Sequence, residues 1–398
     1  MPRTILHIDL DAFYCAVEEL LNPDLRGKAF VVGGAPQERG VVSSASYPAR
    51  KFGVHSAMPT SRALRLCPSA TVVHPRHRLY SEYSEHVMNL LAEVSPLVEQ
   101  ISIDEAFLDV TGDPKPAVEV AAHLQARIRD ELGLPSSLGV ASNKLVAKIA
   151  TNVGKAGAPS TRSGSEGPPF ALMAVPPGDE AAFLAPLPVE MLWGVGPKTA
   201  ERLMALGVRA IGELAAWPAH DLAREFGAHG EEMWRHARGI DDRPVVSDRE
   251  AKQMSAETTF TRDIADVAVL RRTLLSLSEV VGRRLRAAQV TAITVKRKLR
   301  WPDFTTLTRQ VTLERATDLD DEIYHTALGL FDSLWRNGKR VRLLGVAAAG
   351  LVPSARQLGL WEATGQARPE KLAEAVDRIR DKYGRQAIRR ASLIDSDE

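Results

Sequence analysis

Ile8-Asp9-Leu10-Asp11 and Ser102-Ile103-Asp104-Glu105-Ala106 are the two stretches that decide how this chain is read. Each puts acidic side chains at the end of a run patterned as a buried β-strand. Ile5, Leu6 and Ile8 lead into Asp9. Val98 and Ile101 precede Asp104, and Ala106, Leu108 and Val110 follow it with strand-like alternation. A carboxylate at the end of a buried strand is costly unless its charge is compensated, and a divalent cation is the obvious compensation. Two such strands side by side would bring Asp9, Asp104 and Glu105 together. Three hard oxygen ligands that leave coordination sites for water and phosphate suit Mg²⁺. Two ions about 3.5–4 Å apart support in-line phosphoryl transfer. Taken alone, carboxylates beside strands more often end a strand or cap a turn, so the other motifs of the chain carry the weight.

With 398 residues the chain is long enough for two to four domains. Hydrophobic residues make up 44% and charged residues 25%, the balance of a globular protein in water. No apolar run spans a bilayer, and Met1-Pro2-Arg3-Thr4-Ile5 enters a strand without a signal-peptide pattern. Cys15 and Cys67 are the only cysteines. That argues against a disulfide scaffold or a cysteine zinc site and fits a reducing cytoplasm. Net charge is +1, so global charge does not announce a nucleic-acid partner, but local charge does more. Between Val281 and Arg315 nine basic residues (Arg283, Arg284, Arg286, Lys296, Arg297, Lys298, Arg300, Arg309, Arg315) face only Asp303 and Glu314.

Residues 1–165 read as α/β. Strands are expected at 4–9, 29–33, 40–44, 97–110 (a pair) and 137–141. Helices are expected at 13–21, 59–66, 77–94, 116–132 and 142–152. Residues 156–169 are rich in Gly, Pro and Ser and read as a flexible loop. Residues 170–240 read as helical with short turns, and 241–252 as a charged tether. Beyond it the pattern is α+β, with strands near 256–260, 290–300, 305–313 and 341–352 and helices near 267–287 and 320–337. The tail holds an apolar motif at 357–361 and a helix near 369–384, whose Leu372, Val376, Ile379 and Tyr383 share one face.

The first helix opens Asp11-Ala12-Phe13-Tyr14, and here a resemblance is plain. Asp9-Leu10-Asp11-Ala12-Phe13-Tyr14 with Ser102-Ile103-Asp104-Glu105-Ala106 resembles the Y-family of DNA polymerases, their polymerase IV branch in particular. Tyr47-Pro48-Ala49-Arg50-Lys51-Phe52-Gly53-Val54 strengthens the match. So does Gly139-Val140-Ala141-Ser142-Asn143-Lys144 leading to Lys155. The resemblance implies a right-hand polymerase. Its palm would be 1–11 and 75–165, its fingers 12–74, its helical thumb 166–240, its linker 241–252, its α+β little finger 253–352, and its tail 353–398. It further implies that Asp9, Asp104, Glu105 and the backbone carbonyl of Leu10 hold two Mg²⁺ ions, Mn²⁺ being an alternative. Tyr14 would be the steric gate against a 2′-hydroxyl. Tyr47, Arg50 and Lys155 would bind the triphosphate of a dNTP, for which Arg offers a planar fork, and Tyr47 and Arg50 sit three apart, one helical turn. The backbone at Phe13 and Tyr14 starts a helix, which suits phosphate oxygens. Ser43 and Ser44 would be the small residues over the nascent base pair. Asp11 reads instead as the cap of the first helix. One departure stands out: Lys155-Ala156-Gly157-Ala158-Pro159 lacks the Pro-Asn/Asp-Gly turn that the family usually places after this lysine.

Residues 188–208 look like a helix-hairpin-helix. Its Gly194-Val195-Gly196 turn, with Lys198 just after, would let backbone N–H groups meet a DNA phosphate. Leu192 before the turn, and Ala200, Leu203 and Leu206 after it, would supply two packing helices. In Thr294-Val295-Lys296-Arg297-Lys298-Leu299-Arg300, strand alternation puts Lys296, Lys298 and Arg300 on one face, and Thr306, Thr308 and Gln310 alternate on the next strand. That face resembles the family's little finger, which lies across the duplex backbone. Gln357-Leu358-Gly359-Leu360-Trp361 is similar to the bacterial sliding-clamp-binding pentapeptide. Leu360 and Trp361 would fill an apolar pocket and Gln357 would bond at its rim. The resulting expectation is a monomeric, error-prone translesion polymerase without proofreading, acting on primer–template DNA and dNTPs, tethered to a clamp and unattached to membranes. A catalytically silent clamp-bound adaptor would have lost the carboxylates, and a two-metal nuclease would need neither Tyr14 nor the triphosphate groups.

Overall fold

The computed structural model describes residues 3–157, 168–248, 250–336, 338–354, 367–384 and 386–393. The chain divides into two compact units. One comprises Met1–Pro36 and Gly40–Arg249, the other Glu250–Glu398 with the short segment Gln37–Arg39.

In the first unit, β1 (Ile5–Leu10) leads into α1 (Phe13–Leu21). β2 (Phe30–Gly33) and β3 (Val42–Ala45) precede the single turn α2 (Tyr47–Arg50) and α3 (Thr60–Leu66). β4 (Thr71–Val73), α4 (His77–Val94), β5 (Val98–Gln100), β6 (Glu105–Asp109), α5 (Ala117–Leu132), β7 (Ser136–Ala141), α6 (Lys144–Gly157) and β8 (Leu172–Ala174) follow. The main sheet has the order β5-β6-β1-β7-β8, and a small one has the order β3-β2-β4. β1 is central and covered on both faces, which explains its nearly unbroken apolar run. Leu6, Ile8 and Leu10 join a core with Val87 and Leu91 of α4 and Leu124 and Ile128 of α5. Ile5 joins another with Leu145 and Ile149 of α6. Gly139 of β7 is what lets α6 lie this close, because a Cβ there would sit 2.0 Å from the Ala147 carbonyl oxygen. The close approach carries the side chains of α6 to the end of β1.

Several expectations need correction. α6 does not stop at 152 but runs to Gly157, since Ala156 continues a helix as readily as a loop. β4 and β8 are additional short strands, and β8 is held by parallel pairing to β7, a tertiary contact with no local signal. Residues 241–246 do not hang free of their unit. Val245 is buried, the Asp241 carboxylate accepts from the Leu145 N–H at 3.1 Å, and the Val246 N–H donates to Glu99 at 3.0 Å.

The second unit is a four-stranded antiparallel sheet of β9 (Gln253–Ile264), β10 (Val290–Arg300), β11 (Thr306–Thr317) and β12 (Val341–Pro353) in the order β11-β10-β12-β9. Helices Val267–Ala287 and Asp320–Asp332 share one core with this sheet, through Leu274, Val281, Phe331, Val295 and Leu299. The second of these helices ends five residues earlier than the expected 337. The tail helix, Ala367–Tyr383, does not use the apolar face read from its sequence. Leu372 and Tyr383 are 65% and 66% exposed. Ion pairs hold it instead: Arg286–Asp377 at 2.7 Å, Arg380–Glu279 at 3.3 Å and Arg283–Asp381 at 2.5 Å.

Candidate active site and nucleic-acid contacts

β1 and β6 run antiparallel with Asp9 opposite Glu105, and the Leu10 N–H donates to the Asp104 carbonyl at 2.9 Å. Pairing of the two strand ends thus gathers the three carboxylates. The Ser102 hydroxyl donates to Asp104 Oδ1 at 2.5 Å. Burial pushes the Asp9 pKa up, with Lys155 opposing and Glu105 adding to the rise. Burial and the neighbouring Asp9 push Asp104 up as well.

Two lysines of α6 neutralise this cluster. Lys155 Nζ lies 2.5 Å from Asp9 Oδ1 and 2.9 Å from Asp11 Oδ1. Lys148 Nζ lies 2.7 Å from Glu105 Oε1. Burial opposes the charge on Lys155, but Asp9 and Asp11 outweigh it and raise its pKa. With these ammonium groups in place, no three His, Cys, Asp or Glu side chains among the described residues converge as a ready-made metal cage. The donor set still fits a hard divalent cation, because its carboxylates repel one another and already draw positive charge.

Asp11 is not the helix cap expected of it. The cap position is Ala12, in the left-handed region at φ 48°, with no side-chain bond to the helix. That turn points Asp11 back into the sheet. There it is fully buried, accepts from the Ser137 hydroxyl at 2.9 Å and pairs with Lys155. A non-glycine residue held at positive φ stores strain, here at the rim of the site.

Asp9, Leu10 and Asp104 open onto a cleft of about 510 Å³, within the range of small-molecule sites. Phe13, Tyr14, Ser43, Ser44, Arg50 and Lys155 line it too. Glu105 and Tyr47 do not: Glu105 is turned to Lys148, and Tyr47 lies under the Arg50 guanidinium, 4.8 Å from its ring centroid. Burial, then Asp11, pushes the Tyr47 phenol up. Arg50 Nε donates to the Ala45 carbonyl at 2.9 Å while the residue stays exposed. Ser44 is buried towards Cys15, whose thiol burial pushes up to about 12. Ser56 and His77 also line the cleft and were not foreseen. Lys148 had a usable signal, two helical turns before Lys155 on the same face. His77 had none.

Beyond the cleft, Gly194 takes φ 102°, a conformation only glycine adopts cheaply, and Gly196 precedes helix Pro197–Ala205. Lys198 is exposed on the first turn of that helix. Leu192, Val195, Ala200 and Leu203 are buried beneath the turn. The helix expected immediately before the turn is only the 3₁₀ turn Val189–Met191, preceded by a short helix, Glu180–Leu184.

On β10, Lys296, Lys298 and Arg300 stand opposite Gln310, Thr308 and Thr306 of β11. Lys298 pairs with Glu257 at 2.9 Å, and Arg300 Nε donates to Thr306 Oγ1 at 2.8 Å. The basic run as a whole does not form one surface. Arg297 faces the core and is fully buried, while Arg283 and Arg286 are engaged by the tail helix. The clamp-like residues Gln357, Leu358, Leu360 and Trp361 lie outside the described residues.

Comparison with known proteins gives a consistent result. Residues 8–152 match the impB/mucB/samB family, 177–208 the helix-hairpin-helix motif of that family, and 251–360 its C-terminal domain. The chain is 42% identical over 386 residues to a DNA polymerase IV of Dehalococcoides mccartyi, covering 96% of this chain and 95% of the relative. It is 42% identical over 396 residues to one of Desulfatibacillum aliphaticivorans, covering 98% and 96%. It is 39% identical over 354 residues to one of Listeria innocua, covering 88% and 96%. Among solved structures, a Y-family DNA polymerase chimera superposes with a TM-score of 0.77 at 26% identity, over 88% of this chain and 99% of the other.

Proposed function

The chain belongs to the impB/mucB/samB family, the Y-family DNA polymerases, and from that premise we propose how its own residues carry the reaction. It is a translesion DNA polymerase of mixed α/β fold that acts on DNA and dNTPs. The alternative of a silent adaptor finds no support, since the relatives are polymerases by name. Among the described residues no helix is long and apolar enough to cross a membrane.

In our reading Asp9, Asp104, Glu105 and the Leu10 carbonyl hold divalent ions, two Mg²⁺ or in their place Mn²⁺. Such ions, when bound, acidify the primer 3′-hydroxyl and offset charge on the triphosphate. Lys155 and Arg50 receive that triphosphate, with Tyr47 supporting Arg50 from below. The helix start at Phe13 and Tyr14 aims backbone N–H groups at its oxygens. Tyr14 stands against the sugar, and Ser43 and Ser44 leave room over the base pair, so that distorted templates fit and errors follow. The observation that carries this reading is the convergence of Asp9, Asp104, Tyr14, Arg50 and Lys155 on one cleft.

We assign residues 1–11 and 75–165 to the palm, whose sheet β8 completes, 12–74 to the fingers and 166–240 otherwise to the thumb. Residues 241–252 are the linker, the first part of which packs on the first unit, and 253–352 the little finger. Gly194, Gly196 and Lys198, and on the sheet Lys296, Lys298 and Arg300, contact DNA phosphates without reading sequence. Gln357, Leu358, Leu360 and Trp361 of the tail (353–398) dock a monomer on the sliding clamp, offsetting weak processivity. Two buried free cysteines fit a reducing cytoplasm.

The test is single-nucleotide primer extension with Mg²⁺, comparing the native chain with Asp104→Ala/Glu105→Ala. Templated extension is expected from the first and none from the second, with the fold and primer–template binding intact. Extension by the variant would remove these carboxylates from the role.

A further inference from the structure

The Tyr14 ring has a foundation. It stacks on Tyr80 of α4 with centroids 4.1 Å apart and planes within 16°. Tyr14 is half-buried and lines the cleft, whereas Tyr80 is completely buried and does not. The Tyr80 hydroxyl donates to Glu18 Oε1 at 2.6 Å. Glu18 lies one turn after Tyr14 on α1 and is 2% exposed. Arg76, at the cap position of α4, closes on the same carboxylate, Nε donating to Oε1 at 3.0 Å and Nη2 to Oε2. α1 and α4 are thereby cross-tied directly behind the gate ring.

A ring that excludes a hydroxyl must not yield when pressed. Tyr14 turns about two side-chain torsions and has open cleft on one side, so its resistance comes from what lies behind it. An offset stack contributes about 0.5–1.5 kcal/mol beyond burial, and a hydrogen bond to a carboxylate is stronger than one between neutral groups. Burial and then the bond to Glu18 push the Tyr80 phenol pKa up, so it remains a donor at neutral pH. A buried carboxylate that touches neither metal site nor substrate is an expensive group to keep. Its two partners here both act on the platform under Tyr14.

We propose that Glu18, Arg76 and Tyr80 anchor the Tyr14 ring against the sugar of the incoming nucleotide and so set discrimination between deoxyribo- and ribonucleoside triphosphates. The proposal rests on the gate reading of Tyr14. All three are positioning residues, acting through Tyr14.

The experiment measures kcat and KM for dCTP and CTP opposite a template guanine in the full chain and in Tyr14→Ala, Tyr80→Leu, Tyr80→Phe and Tyr14→Ala/Tyr80→Leu. In Tyr80→Leu the dCTP/CTP ratio of kcat/KM is expected to fall by at least about tenfold, the scale of a steric discrimination. The fall comes through a lower KM for CTP, while KM for dCTP stays within a few-fold of native. Tyr80→Phe keeps the stack and the buried volume but loses the bond to Glu18, and its ratio falls less. The double variant discriminates no worse than Tyr14→Ala alone, because an anchor without its ring has nothing left to hold. A native ratio in Tyr80→Leu overturns the anchor, and should that variant not fold, a native ratio in Tyr80→Phe does so. A native ratio in Tyr14→Ala overturns the gate reading itself. Loss of selection in Tyr14→Ala but not in the Tyr80 variants overturns the anchor alone.

Discussion

Charge is handled in opposite ways in the cleft of the first unit and on the sheet of the second. At the cleft, Asp9, Asp11, Asp104 and Glu105 crowd at strand ends; Lys155 holds Asp9 and Asp11, Lys148 holds Glu105 and the Ser102 hydroxyl holds Asp104, all at hydrogen-bond distance. Asp11 is fully buried, and its partner Lys155 also serves Asp9, so these three charges depend on one another. On β10, Lys296, Lys298 and Arg300 stand partly exposed at alternate positions over a regular surface. Buried charge is strongly coupled, and losing one member leaves another uncompensated. Exposed charge is screened and nearly additive. Substitutions in the cleft should therefore be large and interdependent, and those on the sheet small and separable.

The largest effect is expected at Asp9. Asp9→Asn should lower primer extension more than about a thousandfold while leaving DNA affinity near native, since the negative charge and one of the two ligand oxygens are lost. Gel-shift and single-turnover extension on one preparation separate the two quantities. An extension rate within tenfold of native would mean that the cleft does not depend on its charge.

Lys155→Met comes next and tests interdependence. Loss of a charged hydrogen bond to phosphate is worth about 1.5–3 kcal/mol, so KM for the dNTP should rise about tenfold or more. Stability should fall too, because Asp11 keeps its burial but loses its cation. The Asp11 pKa, already raised by burial, then rises further. A carboxylate with a raised folded pKa stabilises the fold while protonated, and that contribution fades as pH rises through the folded pKa. The thermal deficit of Lys155→Met should accordingly shrink on acidification, and Asp11→Asn should recover part of it at neutral pH. A deficit independent of pH would uncouple the two residues.

On the sheet, alanine at Lys296, Lys298 and Arg300 should weaken binding to every DNA sequence alike. Each should reduce the slope of log affinity against log salt by about one. Lys298 should give the least, since Glu257 already engages it. Sequence-dependent losses, or a slope unchanged by the triple variant, would remove this face from the duplex.

The two regions also differ in how far they could be read beforehand. The carboxylates were legible because charge at the end of an apolar strand is costly, and Lys296, Lys298 and Arg300 because a strand alternates. Asp11 was not, since its direction depends on one backbone torsion at Ala12 that no residue type announces. Tyr80 and Glu18 meet Tyr14 only through the packing of α1 on α4. The tail helix misled because its apolar stripe outweighed, on paper, the acids that pair with Arg283 and Arg286.

The smallest effect on DNA is expected one residue from the largest on the sheet. Arg297 lies between Lys296 and Lys298, yet alternation sends it inward between Val295 and Leu299, where it is fully buried. One guanidinium nitrogen donates to the Leu330 carbonyl at 3.2 Å, near the end of its helix, and Nε and Nη1 have no partner among the described residues. Burial lowers its pKa to about 10, which still leaves it charged at neutral pH. A buried cation so poorly satisfied repays little of its desolvation, and an apolar side chain of similar length is often neutral or stabilising in such a place. Arg297→Met should therefore bind DNA with native affinity and native salt slope, and unfold at the native temperature or above. A changed salt slope would put the guanidinium on the duplex after all. A marked loss of stability with the slope intact would mean that its bond to Leu330 outweighs the cost of burying it.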